Sequence, residues 1–251
     1  MNIPVRILAS PPLSEATEPK VFVPDIIRNY PHFALSLAKV LGVPLQLFAP
    51  PNLCGVPGVD IETINRLQKE RLDTLFPGSK PVSQLEVDPG MIVISNSIAE
   101  KRQPYTVIAP RYMAEFDPHG KKKIIVSLGD GQAGLKATVF AIWFARRVGF
   151  SLVFWHTTWR DPTISSDNPQ DHMNHQARLV LLKAQTLAEE AHVPYEIDIR
   201  SVSQAIADGI VAAAYDNDCC LIVMKRGDSA VIGSHCDSTV ERTPIPLMVV
   251  G

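Results

Sequence analysis

The sequence has little of what marks several large classes of protein. Its net charge at pH 7 is −2, from 24 basic and 26 acidic residues, so its charge does not favour nucleic acid or an anionic membrane as a partner. No apolar run approaches the roughly 20 residues of a transmembrane helix, and the start of the chain lacks the basic and apolar regions of a signal peptide. We therefore expect a cytoplasmic protein that binds neither membranes nor nucleic acid.

Cysteine is scarce as well, and motifs for catalysis are missing. The 4 cysteines, at positions 54, 219, 220 and 236, are too few and too irregular for a disulfide framework, so we expect reduced thiols. No Gly-x-Ser-x-Gly elbow occurs, which leaves the serines without a nucleophile context. His172 and His175 have a His-x-x-His spacing, but the sequence places no third ligand near them, and no metal site is predicted.

What the second half does have is an alternation of strand and helix patterns. Strand-like runs, rich in β-branched and apolar residues, lie at 124–128, 151–157, 195–199, 219–224 and 247–250. Apolar residues recur at helical spacing over 135–146, 177–191 and 206–214. The stripe of the first helix is predicted at Leu135, Val139, Ile142 and Arg146, with Ala141 and Ala145 beside it, and Ser201 or Ser203 is predicted to cap the third helix. This alternation predicts an α/β fold, with a parallel sheet covered by helices on both faces.

The first half repeats the pattern incompletely. Four of its segments match the second half in the same order: 34–47 with 141–154, the pairs 66–67 and 74–75 with 178–179 and 186–187, 91–94 with 221–224, and 102–108 with 242–248. Only Asp88-Pro-Gly90 separates the strand-like run 82–87 from the strand that begins at residue 91. A connection that short cannot join parallel neighbours, so we expect one crossover element to be missing or reduced. From these matches we expect a duplicated chain with two domains, 1–112 and 121–251. The apolar runs 106–109 and 247–250 are predicted to pair as sheet edges.

The order of motifs in the second half resembles that of a universal stress protein domain. The likeness rests on the turn Gly129-Asp130-Gly131, the helix over 135–145, the strand ending at His156, and the block from 221 to 250. As a whole the chain is similar to tandem-domain universal stress proteins, with a degenerate first domain. The resemblance implies two open, parallel, five-stranded sheets of the adenine-nucleotide alpha-hydrolase-like type, the first one reduced. It also implies dimerisation through the last strand, as an internal pseudo-dimer or a homodimer.

The loop after residue 224 raises the question of phosphate binding. A glycine loop entering a helix presents unpaired N–H groups and the positive end of the helix dipole to an anion, and a neighbouring Lys-Arg pair adds charge. The resemblance implies an acid facing the ribose, a strand end meeting adenine, and glycines and a serine at the phosphates. The implied nucleotide-binding residues are Asp130, Gly131, Thr157, Lys225, Arg226, Gly227, Gly233 and Ser234.

The same loop departs from the pattern of ATP-binding members of the family. Met224 stands where those members have their first glycine, and only five residues separate Gly227 from Gly233, which makes the loop shorter. An alternative therefore stays open, in which this is a tight strand-to-helix connection without a ligand. Lys225 and Arg226 would then be solvated, and Ser234 would be an ordinary helix cap.

These observations leave three hypotheses for function. The first is a non-catalytic stress-response or signalling protein of the universal stress protein type, with ATP or another adenine nucleotide as its ligand. The second is a ligand-free dimeric interaction or scaffold protein with an unknown protein partner. The third is an enzyme that uses ATP for adenylyl transfer, which is weakened because no further glycine-rich pyrophosphate loop follows the first strand. We expect no enzymatic activity.

Overall fold

The structure is a computed structural model, and it describes only part of the chain. The described residues are 6–9, 36–37, 39–41, 45–47, 91–95, 105–108, 116, 120–129, 132–159, 163–201, 205–225, 238–239 and 242–250. They form a nine-stranded sheet with the order β2-β1-β3-β4-β9-β8-β5-β6-β7. The strands are β1 (Arg6–Ala9), β2 (Leu45–Leu47), β3 (Met91–Ser95), β4 (Tyr105–Ile108), β5 (Lys123–Ser127), β6 (Ser151–Thr158), β7 (Tyr195–Ser201), β8 (Cys219–Lys225) and β9 (Leu247–Val250).

The second half has the predicted α/β architecture. Its five strands, in the order β9-β8-β5-β6-β7, are all parallel to one another. Among the residues that the structure describes, three complete helices lie between them: α1 (Gln132–Val148), α2 (His175–Glu190) and α3 (Ile206–Asp216), with a 3₁₀ helix (Pro169–His172) before α2. The fold class expected from the alternating pattern is confirmed for this half.

The core lies on both faces of this sheet, because successive strand residues point to opposite sides. On one face, α1 and α2 pack on Ile124, Val126 and Phe154. On the other face, α3 packs on Ile125 and Ile222. All five of these strand residues are completely or almost completely buried, as expected for a parallel sheet between two helical layers.

The predicted helices form, but the sequence misplaced two details. The buried residues of α1 include Ile142, as predicted, whereas Val139 is 45% exposed; the others are Ala137, Thr138, Phe140, Ala141, Phe144 and Ala145. The predicted cap at Ser201 or Ser203 is wrong, because Ser201 ends β7 and the residue before α3 is Ala205, which makes no side-chain cap. The stripe predicted for α2 is correct, since Ala177, Val180, Leu181, Ala184 and Ala188 are buried.

The described strands of the first half have the order β2-β1-β3-β4 and are parallel to one another. β4 joins β9 in antiparallel register, with Tyr105 opposite Val250 and Ile108 opposite Leu247. The predicted pairing of these two apolar edges is confirmed. The two sets of strands therefore form one continuous sheet, in which each covers the edge of the other.

Helices of the two halves also touch across this joint. Leu37 and Leu41, in helical residues 36–41 of the first half, are buried in the same cluster as α1. Arg147 at the end of α1 donates from Nε to the carbonyl of Leu41 at 2.8 Å. Among the described residues, no helix is long and apolar enough to cross a membrane.

Candidate functional site at the carboxyl edge of the sheet

The candidate site lies where the strand order of the second half reverses. From β5 the chain passes outward through β6 and β7, and then crosses back to β8 on the other side of β5. Open parallel sheets bind ligands outside the carboxyl ends of their strands at such a point. The turn that leaves β5 and the loop that leaves β8 therefore begin side by side, and these are the two segments that the sequence singled out for nucleotide binding.

The strand register sets the described site residues at one level. Val126 of β5 pairs with Val223 of β8, and Ser127 pairs with Trp155 of β6. Extending these pairings by two residues places Lys225 beside Leu128, with Thr157 next to Gly129. Lys225 and Thr157 are both half-buried. Since they lie on strands separated only by β5, they are about 10 Å apart at the sheet's edge.

His156 fixes the end of β5 against β6. Its Nδ1 lies 2.9 Å from the carbonyl oxygen of Leu128, and the Leu128 N–H donates to the carbonyl of Trp155 at 2.9 Å. Because a carbonyl only accepts, the proton of the ring is on Nδ1. His156 therefore has a structural role, because it holds the backbone at the end of β5.

The backbone just beyond this tie is open. A Cβ added to Gly129 would meet no described atom within 4 Å. The space beside the Gly129 backbone is therefore free for a close approach by a ligand, which is the use that the resemblance implies for the glycines of this turn.

Met224 lies in the core and not in the loop. It is 4% exposed and belongs to the same buried cluster as Trp155 and Ile125. Its backbone is still part of β8, paired with Val249. The side chain at the position of the family's first glycine is thus accommodated in the core on the α3 face of the sheet.

Trp155 fills the sheet face beneath the site. It is 1% exposed, and its indole packs on Gly209 of α3, where an added Cβ would lie 3.2 Å from Cζ2. Within the described part of the chain its Nε1 has no hydrogen-bond partner. Gly209 is therefore the residue that lets α3 approach the strand over this large side chain.

A charged network joins β7 to the C-terminal end of α3. Arg200, whose register partner is Thr157, donates from Nη2 to Asp198 and from Nη1 to Asp216, each at 2.7 Å. Asn217 donates to the same Asp198 carboxylate at 2.8 Å. Hydrogen bonding to Asp198 raises the pKa of Arg200 above its ordinary value, so the guanidinium stays charged, and the two carboxylates balance it.

The connection after β6 is held by polar contacts. Thr158, which is buried, donates from Oγ1 to the carbonyl of Pro169 at 3.2 Å. His172 donates from Nε2 to the carbonyl of Ser166 at 2.7 Å, so one of the two spaced histidines already has a protein partner. In the described ranges, no group of three or more His, Cys, Asp or Glu residues is placed to hold a metal ion.

The structure describes two of the eight predicted nucleotide-binding residues. Thr157 and Lys225 lie at the carboxyl ends of β6 and β8, on the same edge of the sheet. The other six lie outside the described residues and stay predictions: Asp130, Gly131, Arg226, Gly227, Gly233 and Ser234. The sequence reading missed Trp159, which directly follows β6 and is 74% exposed. In the sequence, the only indication of Trp159 was a tryptophan among polar residues just beyond a predicted strand.

Comparisons with known proteins agree with this geometry. The model of the universal stress protein family matches residues 121–251. A universal stress protein from Archaeoglobus fulgidus DSM 4304 has a similar structure over 100% of this chain and 99% of its own, with 15% identity and a TM-score of 0.61. A functionally unknown protein from Pseudomonas aeruginosa PAO1 matches over 99% of this chain and 92% of its own, with 14% identity and a TM-score of 0.53.

A shorter solved structure, the universal stress protein from Archaeoglobus fulgidus in complex with dAMP, covers 53% of this chain and 99% of its own, with 17% identity and a TM-score of 0.42. No curated protein matches the sequence. The first two of these structures share the fold of the residues that the structure describes.

Proposed function

Because the chain belongs to the universal stress protein family, we propose that it is a non-catalytic stress-response or signalling protein that binds an adenine nucleotide, such as ATP, within residues 121–251. The observation that supports this most is the juxtaposition of two strand ends. The turn after β5 and the loop after β8 start next to each other at the point of reversal, with Lys225 at the edge. Asp130 would accept hydrogen bonds from the ribose, and Gly227, Gly233 and Ser234 would donate to phosphate.

The burial of Met224 also favours a retained site. A side chain at the first glycine position would block phosphate only if it projected into the loop, and this one is 4% exposed within the core. The shortened loop still favours the alternative, a ligand-free interaction or scaffold protein with a protein partner. Whether the purified protein carries a nucleotide distinguishes the nucleotide-binding function from the ligand-free function.

We also propose that the chain arose by duplication, into domains 1–112 and 121–251. The order β2-β1-β3-β4 repeats the order β6-β5-β8-β9. Two of the matched sequence segments fall on equivalent strands: 45–47 and 152–154 on β2 and β6, and 91–94 and 221–224 on β3 and β8. In this scheme the paired β4 and β9 make an internal pseudo-dimer. Location in the cytoplasm stays a prediction.

Binding without rapid turnover suits the described residues. Fast phosphoryl transfer needs a metal clamp, an oriented nucleophile and charge stabilisation held together. Lys225 supplies charge, and Asp130 is assigned to the ribose. His156, the nearest described histidine, uses Nδ1 to hold Leu128. The site would therefore report occupancy, because its ligand is not consumed.

The first test is mass spectrometry, under denaturing conditions, of protein purified without added ligand. We expect about one adenine nucleotide per chain. Its absence, together with no thermal shift in millimolar ATP, would support the ligand-free alternative.

The second test is phosphate release at saturating ATP and magnesium. We expect at most a trace rate that is the same in Lys225→Ala and Asp130→Ala variants. A turnover of about one per second that is lost in both variants would show an enzyme instead.

A further inference from the structure

Trp159 differs from the other tryptophans of the chain. Trp155 is 1% exposed, and Trp143 is half-buried against Phe140 and Phe144. Trp159 is 74% exposed, more than any other large apolar residue in the described part of the chain. Single exposed apolar residues are ordinary in proteins, so its exposure alone means little. Its exposure is of interest because of where Trp159 lies in the sheet.

Trp159 lies at the rim of the candidate site. It directly follows β6, two residues beyond Thr157, at the carboxyl edge of the sheet. The residue before it is fixed from two sides: Thr158 pairs with Ser201 of β7, and its hydroxyl donates to the carbonyl of Pro169 at 3.2 Å. An exposed indole is therefore attached to a rigid strand end, beside the place where the base of a bound nucleotide is expected.

We propose that Trp159 binds the ligand by stacking on its purine base. This inference rests on the proposed function and adds the residue that recognises the base. An indole offers a planar π surface, and base–aromatic stacking needs only that surface. The strand spacing allows separate contacts to the two ends of a nucleotide, because Lys225 on β8 and the end of β6 are about 10 Å apart. Phosphate binding on the β8 side and base stacking on the β6 side would then engage opposite ends of one nucleotide.

Binding the phosphate and the base at separate strand ends has a chemical consequence. The loop after β8 is shorter in sequence than that of ATP-binding members of the family, so we expect contacts to the base to carry more of the affinity. AMP and ATP should therefore bind with affinities closer to each other than a site dominated by phosphate contacts would give. Removing the indole should weaken both ligands by the same factor.

The experiment is a calorimetric titration of ATP and AMP into the wild-type chain and Trp159 variants. Trp159→Ala should weaken both ligands by about 5- to 150-fold, the range measured for one stacked base. Trp159→Phe should retain most of the affinity, and Trp159→Leu, which is apolar but not aromatic, should behave like the alanine variant. Tyr215→Ala removes another exposed aromatic, which is 46% exposed on α3 and away from the site, and should leave binding unchanged.

Tryptophan fluorescence provides a second readout. Because the other two indoles are buried or half-buried, ATP should quench emission in the wild type and have little effect on the emission of Trp159→Phe. Wild-type binding with Trp159→Ala within twofold of the same affinity would overturn the stacking role alone. If the wild type binds neither nucleotide at millimolar concentration, the proposed function fails and the stacking role fails with it.

Discussion

At the scale of single residues, the contact between Trp155 and Gly209 decides how closely α3 approaches the sheet. A Cβ at position 209 would lie 3.2 Å from the indole, which is buried on all sides and cannot move away. We expect Gly209→Val to lower the free energy of unfolding by about 1–3 kcal/mol, as for other overpacked cores. The control is Ala212→Val, at an exposed position of the same helix, which should cost under about 1 kcal/mol. Equal losses of unfolding free energy for Gly209→Val and Ala212→Val, measured by urea denaturation, would contradict this packing.

Cys219 is a buried thiol whose ionisation the fold changes strongly. Burial raises the pKa of its thiol to about 12, well above the value of about 8.5 for a free cysteine. Only the thiolate reacts with alkylating reagents. We expect Cys219 to resist iodoacetamide at pH 8 in the folded chain and to react in denaturant, as judged by peptide mass spectrometry.

The same raised pKa sets the direction of its effect on stability. The neutral thiol is favoured in the folded state. The contribution of Cys219 to the free energy of unfolding is therefore fully present below about pH 8.5 and declines as the pH rises toward 12. Rapid labelling of native Cys219 at pH 8 would show that the thiol is not buried as described.

At the scale of elements, the tie between β5 and β6 positions the turn that carries Asp130. His156→Leu removes the hydrogen bond to Leu128, and we expect it to cost about 0.5–1.5 kcal/mol of unfolding free energy and to weaken ATP binding. His156→Asn keeps a donor near the position of Nδ1, so it should recover much of both losses. Chemical denaturation and calorimetry measure the two effects. A leucine variant with unchanged ATP affinity would mean that this tie does not position the site.

Sequence pattern was sufficient for some elements and not for others. The α2 stripe was predictable because only one side of that helix is apolar, whereas α1 is apolar almost all round, so the pattern did not single out Ala137 and Phe144 over Val139. The start of α3 was missed because Ala205, which makes no side-chain cap, precedes it.

The same limits apply to the candidate site. Thr157 and Lys225 could be placed from the order of strands. The exposure of Trp159 and the burial of Met224 depend on tertiary packing, which a single sequence does not display.

At the scale of the whole molecule, the antiparallel pair of β4 and β9 joins both halves. Every residue of β9 is buried, so an unpaired β9 would present an apolar edge. In the intact chain β4 covers it, and Phe116 adds an edge-on ring contact to Phe144 of α1. We expect the full chain to be a monomer of 27.6 kDa in light scattering.

The matched sample is a fragment of residues 121–251, in which β4 is absent. It should self-associate, because the β9 edge and the α1 surface that Leu37 and Leu41 cover are exposed. A full chain with twice the monomer mass, or a fragment that stays monomeric, would contradict this view of the joint.

The central claim is that residues 121–251 hold an adenine nucleotide at the carboxyl edge of the sheet, and titration calorimetry with ATP tests it most directly. The wild type and Ala212→Val should each bind about one ATP per chain. Gly233→Val should abolish binding because its side chain would occupy the phosphate position, and Asp130→Ala should weaken it by removing the acceptor for the ribose. Absence of binding by the wild type at millimolar ATP, or binding that survives both Gly233→Val and Asp130→Ala, would contradict the claim.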